Sequence, residues 1–390
     1  MMESILILGG TYFQIPVIEC AKSKGYFVIT CDYLPNNPGH KYSDKYYNVS
    51  TTDKTAVLDI AIKENVIGVI AFASDPAAPI AAYVNEKIGV NYTSYESICI
   101  LSEKDRWRDF LSKNKFNSPK SIFFSSMIDL DVGEINYPVM VKPTDSSGSK
   151  GVSLVHDESE LEVAIEYAAS YSRNNRLIIE EFIDKIGCQI GGDAFIGDGK
   201  VEFICFGDQQ VDNNINQFVP CGMIFPSKIS EVYKDKIISE INRLSNLLNL
   251  KNIIINIEVM LDKNDNIYLM EIGPRSGGNF IHKSIKDLTG IDLVEIAVDS
   301  LTKKVNIPSL DIKSKKHAAY YAIHADKKGI IRKIRIKNKN DLTSIVLFKN
   351  VGDEINTFNG SNETIGILNY IVSDYDNALE LFKDNVEVIS

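Results

Sequence analysis

Two apolar runs near residue 260 carry the residue types best suited to chemistry. Residues 252–261 and 267–272 are apolar runs in which Glu258 and Glu271 each stand between apolar neighbours, and the polar stretch 262–266 separates them, so they read as a β-hairpin. Pairing Asp262 with Ile267 places Glu258 directly opposite Glu271, and Asn256 opposite Gly273. Directly opposed side chains lie about 4.5–5.5 Å apart, a separation at which like charges repel. The two carboxylates therefore either splay into solvent or close on a cation. Magnesium suits a pair of hard oxygen ligands, because water and phosphate oxygens complete its shell. Arg275 stands four residues beyond Glu271, past Pro274 and before Gly277 and Gly278. Its guanidinium could grip an anion with both arms beside the cation, or pair with a neighbouring acid.

A second cluster precedes this one. Lys142 ends the hydrophobic run 138–142, and the small residues of Thr144–Gly151 follow it. Such a segment can set an ammonium and several backbone N–H groups around phosphates, or it can be a mobile surface turn. Its lysine comes before its glycines, so it is not a Walker loop. Cys221 has no histidine partner in the neighbouring sequence, and an ordinary thiol explains it as well as a nucleophile does. His282 either touches a substrate or packs on a helix.

The elements that hold these residues follow from periodicity. The chain has 390 residues, 44% hydrophobic and 24% charged, which suits two or three soluble domains and excludes a disordered, collagenous or disulfide-stapled chain. Residues 1–100 alternate strand and helix, which predicts a doubly wound parallel sheet. Ser102 to Asp105 has the form of a capping box that opens a helix through about Lys113. An α+β region covers 101–305, with a smaller lobe at 118–183, and a strand-rich subdomain covers 306–390. Glycines after the first strand invite a dinucleotide reading, with Asp32 as the ribose-binding acid. The fingerprint fails, because Gly9 and Gly10 are adjacent and Gln14 stands where a third glycine belongs.

The net charge is −10 and the pI near 5.2, which argues against a nucleic-acid partner. The basic stretch 313–339 alternates Ile334 and Ile336 with Arg335 and Lys337, the pattern of a half-buried strand. No apolar run reaches the length of a membrane span, and residues 1–10 enter a strand without an export signature, so the expectation is a cytoplasmic protein without a membrane partner. The six cysteines form no metal-binding spacing, and reduced thiols are expected.

Taken in order, residues 138–152, 178–193 and 256–278 resemble the ATP-grasp superfamily of carboxylate–amine ligases, and the likeness runs over nearly the whole chain. The N-terminal run looks like the purine-biosynthesis carboxylase and formate-ligase branch, and the run from Glu271 to Gly278 looks more like the amino-acid ligases. The resemblance implies an N-terminal doubly wound parallel sheet, a two-lobed ATP-grasp domain and a strand-rich C-terminal subdomain. It implies that Lys104 and Lys142 bind ATP phosphates, and that Ser147, Gly148, Ser149 and Gly151 belong to a mobile lid loop. Glu180, Glu181, Phe182 and Ile183 would form the hinge that holds adenine. Gln189 would take the ribose-facing place where the family usually has Glu. Glu258 and Glu271 would hold two magnesium ions, or manganese in their place, and Arg275 would act on the γ-phosphate and the carboxylate. The family's usual metal-side Asn is Gly273 here, so Asn256 would supply that amide from the facing strand.

The implied reaction activates a small-molecule carboxylate as an acyl phosphate and joins it to an amine. Bicarbonate or formate activation is the alternative within the family, and an ATP-binding sensor the alternative outside it; a homodimer is compatible with each. The polar stretch Gly207–Phe225 and Asp75 are expected to face the substrate.

Overall fold

The computed structural model describes residues 2–125, 130, 133, 135–146, 148–302, 305, 307–308, 316–384 and 386–389. Strands β1 (Ser4–Leu8), β2 (Phe27–Cys31), β3 (Lys45–Tyr47) and β4 (Val66–Ile70) form a parallel sheet in the order β3-β2-β1-β4. Successive residues of β1 point to opposite faces, and both faces are buried. Leu6 and Leu8 pack with Val57 and Ile60 of α2 (Lys54–Lys63) and with Val84 of α3 (Ala78–Ile88). Ile5 and Ile7 pack with Val17 and Ile18 of α1 (Ile15–Ser23). This two-sided burial is why the strand reads as unbroken apolar sequence.

Helix α4 (Tyr95–Ser102) runs almost directly into α5 (Lys104–Lys113). The expected capping box is not formed. Ser102 is the last residue of α4 with its hydroxyl buried and unpartnered, and Glu103 stands at the α5 N-cap without a side-chain capping bond.

The smaller lobe is an antiparallel sheet, β5-β8-β6-β7, made by β5 (Ser121–Phe124), β6 (Val139–Pro143), β7 (Ser153–Val155) and β8 (Leu177–Glu181), with α6 (Leu161–Tyr171) packed on it. The larger lobe contains β9 (Ile190–Asp198), β10 (Val201–Asp212), β11 (Asn216–Phe225), α7 (Glu231–Leu247), β12 (Lys251–Leu261), β13 (Ile267–Gly273), α8 (Ile281–Thr289) and α9 (Leu293–Asp299). The C-terminal elements are β14 (His317–Ile323), β15 (Gly329–Ile330), β16 (Lys333–Ile336), β17 (Leu342–Leu347), β18 (Glu354–Ile355), β19 (Gly366–Val372), α10 (Tyr375–Asp384) and β20 (Val386–Ile389). Three of these strands extend the larger lobe's sheet, whose order is β13-β12-β9-β10-β11-β14-β19-β17. Regions 189–273 and 317–372 thus share one sheet. Helix α7 covers one face of it through Ile237, Ile241 and Leu244, and α8 covers the other through Ile281 and Ile285. Val294 and Val298 of α9 reach back to the Ile5 face of the N-terminal sheet and fix that domain to the core.

Residues 333–336 form the expected half-buried strand, and Arg335 on its open face pairs with Glu387 at 2.6 Å. Among the described residues no helix is long and apolar enough to cross a membrane.

Candidate active site

The β12–β13 hairpin sets the site. At the turn Leu261 pairs with Ile267, one residue away from the expected alignment. The register then shifts between Glu258 and Val259, because Val259 pairs with Leu269 and Glu258 with Glu271, leaving Met270 as the extra residue of a β-bulge. The two departures cancel. Glu258 faces Glu271 and Asn256 faces Gly273, as the sequence suggested.

Burial, and then the charge of Glu271, push the Glu258 carboxyl up to about 7. Arg275, Lys142 and Lys104, three cations from separate segments, act on Glu258 in the opposite direction. Gln189, at the entry to β9, donates its Nε2 to Glu258 Oε2 at 2.8 Å. Its amide thus lies against the Glu258 carboxylate.

Lys142 lies on β6 diagonally across from Glu180 on β8, and its Nζ donates to Glu180 Oε2 at 2.7 Å. The other oxygen of Glu180 accepts from Nε of Arg108 at 2.6 Å. Glu180 is 1% exposed. Burial alone would raise its pKa, but Arg108 and Lys142 outweigh it and hold the carboxyl well below the usual range. Both oxygens of the carboxylate expected at the adenine hinge accept from cations. In the rest of the hinge, Glu181 is exposed, the Phe182 N–H donates to the Pro138 carbonyl at 3.3 Å, and Ile183 is buried.

Lys104, at the first position of α5, donates from Nζ to the Ser146 carbonyl at 2.9 Å, so it holds the start of the glycine-containing loop. Gly148, Ser149 and Gly151 all have positive φ, at 68°, 60° and 72°. A Cβ on Gly148 would lie 2.1 Å from Ser361 Oγ, so only glycine allows this loop to rest on the 360–361 turn. Ser147 lies outside the described residues.

Arg275 reaches across to the N-terminal domain. Its Nε donates to Asp75 Oδ1 at 2.7 Å, and its Nη2 meets the same oxygen. Asp75 follows β4 at the carboxyl end of the parallel sheet, where ligands meet such sheets. Gly273 makes room for this guanidinium, since a Cβ there would sit 3.1 Å from Arg275 Cζ. Asn256 donates both amide hydrogens, to the Gly192 carbonyl at 2.9 Å and to Asp193 Oδ1 at 2.8 Å. Its remaining polar atom is the oxygen.

Sequence reasoning missed Asp193 and Arg108. Asp193 is fully buried in β9 and accepts from Asn256, from Ser276 Oγ at 2.7 Å and from the Gly277 N–H at 3.0 Å. Burial raises its pKa against these donors. Its signal was an acid inside a run of glycine and apolar residues. The signal for Arg108 was its place four residues after Lys104 on one helix face.

Other candidates fall away. Cys221 is buried and its thiol is pushed up to about 12, so it is not an activated nucleophile. His282 is buried against the Phe72 ring and pushed down to about 4, which makes it a neutral packing residue. Asp32 is occupied by the N–H groups of Gly10 and Leu34 and by Asn37 Nδ2, at 3.1, 3.0 and 2.8 Å. The ring of His40 fills the space over Gly10, so a dinucleotide has no approach there. In the stretch Gly207–Phe225, Asp208 is taken by Ser227, the Lys228 N–H and Tyr375, and Asp212 faces His324. These acids tie the hairpin to the C-terminal region.

Among the described residues, no group of three or more His, Cys, Asp or Glu side chains could hold a metal ion. Two carboxylates do not complete a magnesium shell by themselves; water and phosphate oxygens would supply the rest.

Residues 135–283 match the ATP-grasp domain. Over 298 residues the chain is 26% identical to the carbamoyl phosphate synthase large chain of Clostridium botulinum, which covers 74% of this chain and 27% of that protein. The chain thus spans little more than a quarter of the length of that relative. Over 188 residues it is 30% identical to the formate-dependent phosphoribosylglycinamide formyltransferase of Prochlorococcus marinus, covering 47% and 48% of the two chains. It superposes on the crystal structure of an L-amino acid ligase from Bacillus licheniformis with a TM-score of 0.85, at 21% identity, over 99% of this chain and 98% of the other. That likeness is one of fold. Residues 135–283 are thus an ATP-grasp domain, and the chain as a whole shares the fold of the amino-acid ligase.

Proposed function

We propose that the protein is an ATP-dependent ligase that activates a carboxylate and joins it to an amine. The observation that carries this reading is the opposed pair Glu258 and Glu271, with Arg275, Lys142 and Lys104 near enough to act on Glu258. Like charges held face to face cost stability, and a site that keeps them has use for a cation. The donor set fits magnesium, with Glu258 and Glu271 as its protein ligands and the Asn256 oxygen as the third. Bound there, magnesium would neutralise phosphate charge during phosphoryl transfer.

The chain's own residues have separable tasks in this reaction. Lys142 and Lys104 bind phosphate oxygens, and Lys104 carries the lid loop with it through Ser146. Closure of that loop excludes water, which otherwise hydrolyses an acyl phosphate. Arg275 exchanges Asp75 for the substrate carboxylate and places its oxygen in line with the γ-phosphoryl group. The carboxylate oxygen bonds the phosphorus as ADP leaves; the amine nitrogen then bonds the acyl carbon, loses a proton, and inorganic phosphate leaves.

Phosphate and ADP release, measured against carboxylates crossed with amines, tests the proposal. The expected result is magnesium-dependent ADP formation that requires both substrates, reduced more than roughly tenfold in Glu271→Gln. ATP binding without turnover across the panel would leave a sensor, and wild-type activity in Glu271→Gln would refute the metal role of the pair.

A further inference from the structure

We propose that Arg108 is a positioning residue that joins the two halves of the site: it sets the charge free on Lys142 and it holds the bulge that turns Glu271 toward Glu258. The inference rests on the reading of Lys142 as a phosphate-binding cation.

Arg108 lies on α5 and is 6% exposed. One arm, Nε, donates to Glu180 Oε1 at 2.6 Å, and the other oxygen of Glu180 holds Lys142 Nζ at 2.7 Å. The trio carries one net positive charge, so Glu180 orients Lys142 without cancelling it. Were Arg108 neutral, Glu180 and Lys142 would form a closed pair, and a triphosphate would meet a lysine already neutralised.

The second arm acts on the metal strand. Nη1 of Arg108 donates to the Met270 carbonyl at 2.9 Å, joined by Trp107 Nε1 at 3.2 Å. Met270 is the residue without a partner in the β12–β13 ladder. Had the turn-end register continued, Glu258 would face Met270 and Glu271 would face Ile257. Because side chains alternate, a slip of one residue moves a side chain to the other face of the sheet. The bulge therefore puts the two carboxylates on one face, and Arg108 and Trp107 grip its carbonyl.

Calorimetric titration with magnesium and the β,γ-imido analogue of ATP separates the charge role from simple scaffolding. Arg108→Met should weaken binding roughly tenfold. Adding Glu180→Gln in that background removes the cancelling charge and should bring affinity back to within a few-fold of wild type. A scaffolding role predicts the reverse, since the double variant has lost more hydrogen bonds, and a double variant that binds no better than Arg108→Met overturns the proposal. Arg108→Lys keeps the charge but cannot serve both acceptors from one fork, so nucleotide affinity should hold while kcat falls. An unchanged kcat would remove the bulge from the argument. If Arg108→Met does not fold, Glu180→Gln alone decides: binding at least as tight as wild type supports the charge role, and weaker binding overturns it. Wild-type protein that binds no nucleotide refutes the ligase reading itself, a result distinct from any pattern among the variants.

Discussion

At pH 8, without metal or nucleotide, the Glu258→Gln variant should unfold at a higher temperature than wild type while losing activity. The reason is the environment of Glu258, whose carboxyl is moved from an ordinary 4.5 to about 7 by burial and by Glu271. A tenfold change in proton affinity corresponds to about 1.4 kcal/mol, so the ionised group costs the fold about 3 kcal/mol. Partial exposure of the side chain screens this to about 2 kcal/mol. The folded protein holds the proton more tightly than the unfolded chain does. Stability contributed here therefore falls as pH rises from about 4.5 to about 7, and is level above that. Glutamine has no charge to lose, and its side-chain oxygen can still accept from Gln189 Nε2. The gain should be near zero at pH 5, grow through pH 6 and 7, and reach a few degrees at pH 8. Scanning calorimetry in EDTA at these four pH values measures it. Magnesium with the imido nucleotide should then stabilise wild type more than the variant. A variant no more stable than wild type at pH 8, or one whose gain is the same at pH 5, would refute the account of a strained carboxylate pair.

Two further outcomes follow from the geometry around the pair. Arg275→Lys keeps a charge near Asp75 but not the fork, so kcat should fall roughly tenfold or more with nucleotide affinity retained; Gly273→Ala should shift the same parameter less, by pressing a methyl against the guanidinium. Unchanged kcat with weaker nucleotide binding in Arg275→Lys would make Arg275 a phosphate ligand only. Asn256→Ala removes a donor from the fully buried Asp193, which should cost about 1–3 kcal/mol in thermal melts and raise the magnesium concentration for half-maximal activity. A normal magnesium dependence would confine Asn256 to supporting Asp193.

Much of this site was legible because its groups lie on regular elements. Alternation in β12 and β13 revealed two carboxylates on one face, and an unbroken apolar run ending in Lys142 revealed a buried strand carrying an ammonium. The hairpin alignment also shows the limit of such reading. The turn closes one residue away from the expected pair and the bulge at Met270 restores the register, so the facing of Glu258 and Glu271 follows from two offsets of opposite sign. A bulge is fixed by what grips its carbonyl, here Trp107 and Arg108 from a helix more than 150 residues earlier in the chain. The pairing of Arg275 with Asp75 spans 200 residues. Periodicity is local, and neither contact leaves a trace in it. The capping box failed for a similar reason: Ser102 has the right type and spacing, but α4 continues through it.

Four charges of the site are engaged within the protein. Lys142 rests on Glu180, Lys104 on the Ser146 carbonyl, Arg275 on Asp75 and Glu258 on Gln189. Isolated buried charges are expensive, and a cleft that held bare ones would neutralise them by shifting their pKa or would fail to fold. These partners let the cations and carboxylates be built in advance. In the proposed reaction a magnesium nucleotide and a carboxylate would replace three of the four partners: phosphate oxygens for a carbonyl, a substrate carboxylate for Asp75, a cation for an amide N–H. Binding then exchanges one set of polar contacts for another, and little reorganisation is left for the reacting step. Glu180 is the exception. It is buried with both oxygens taken, and in the proposed role of Arg108 it would keep Lys142 in place without silencing it.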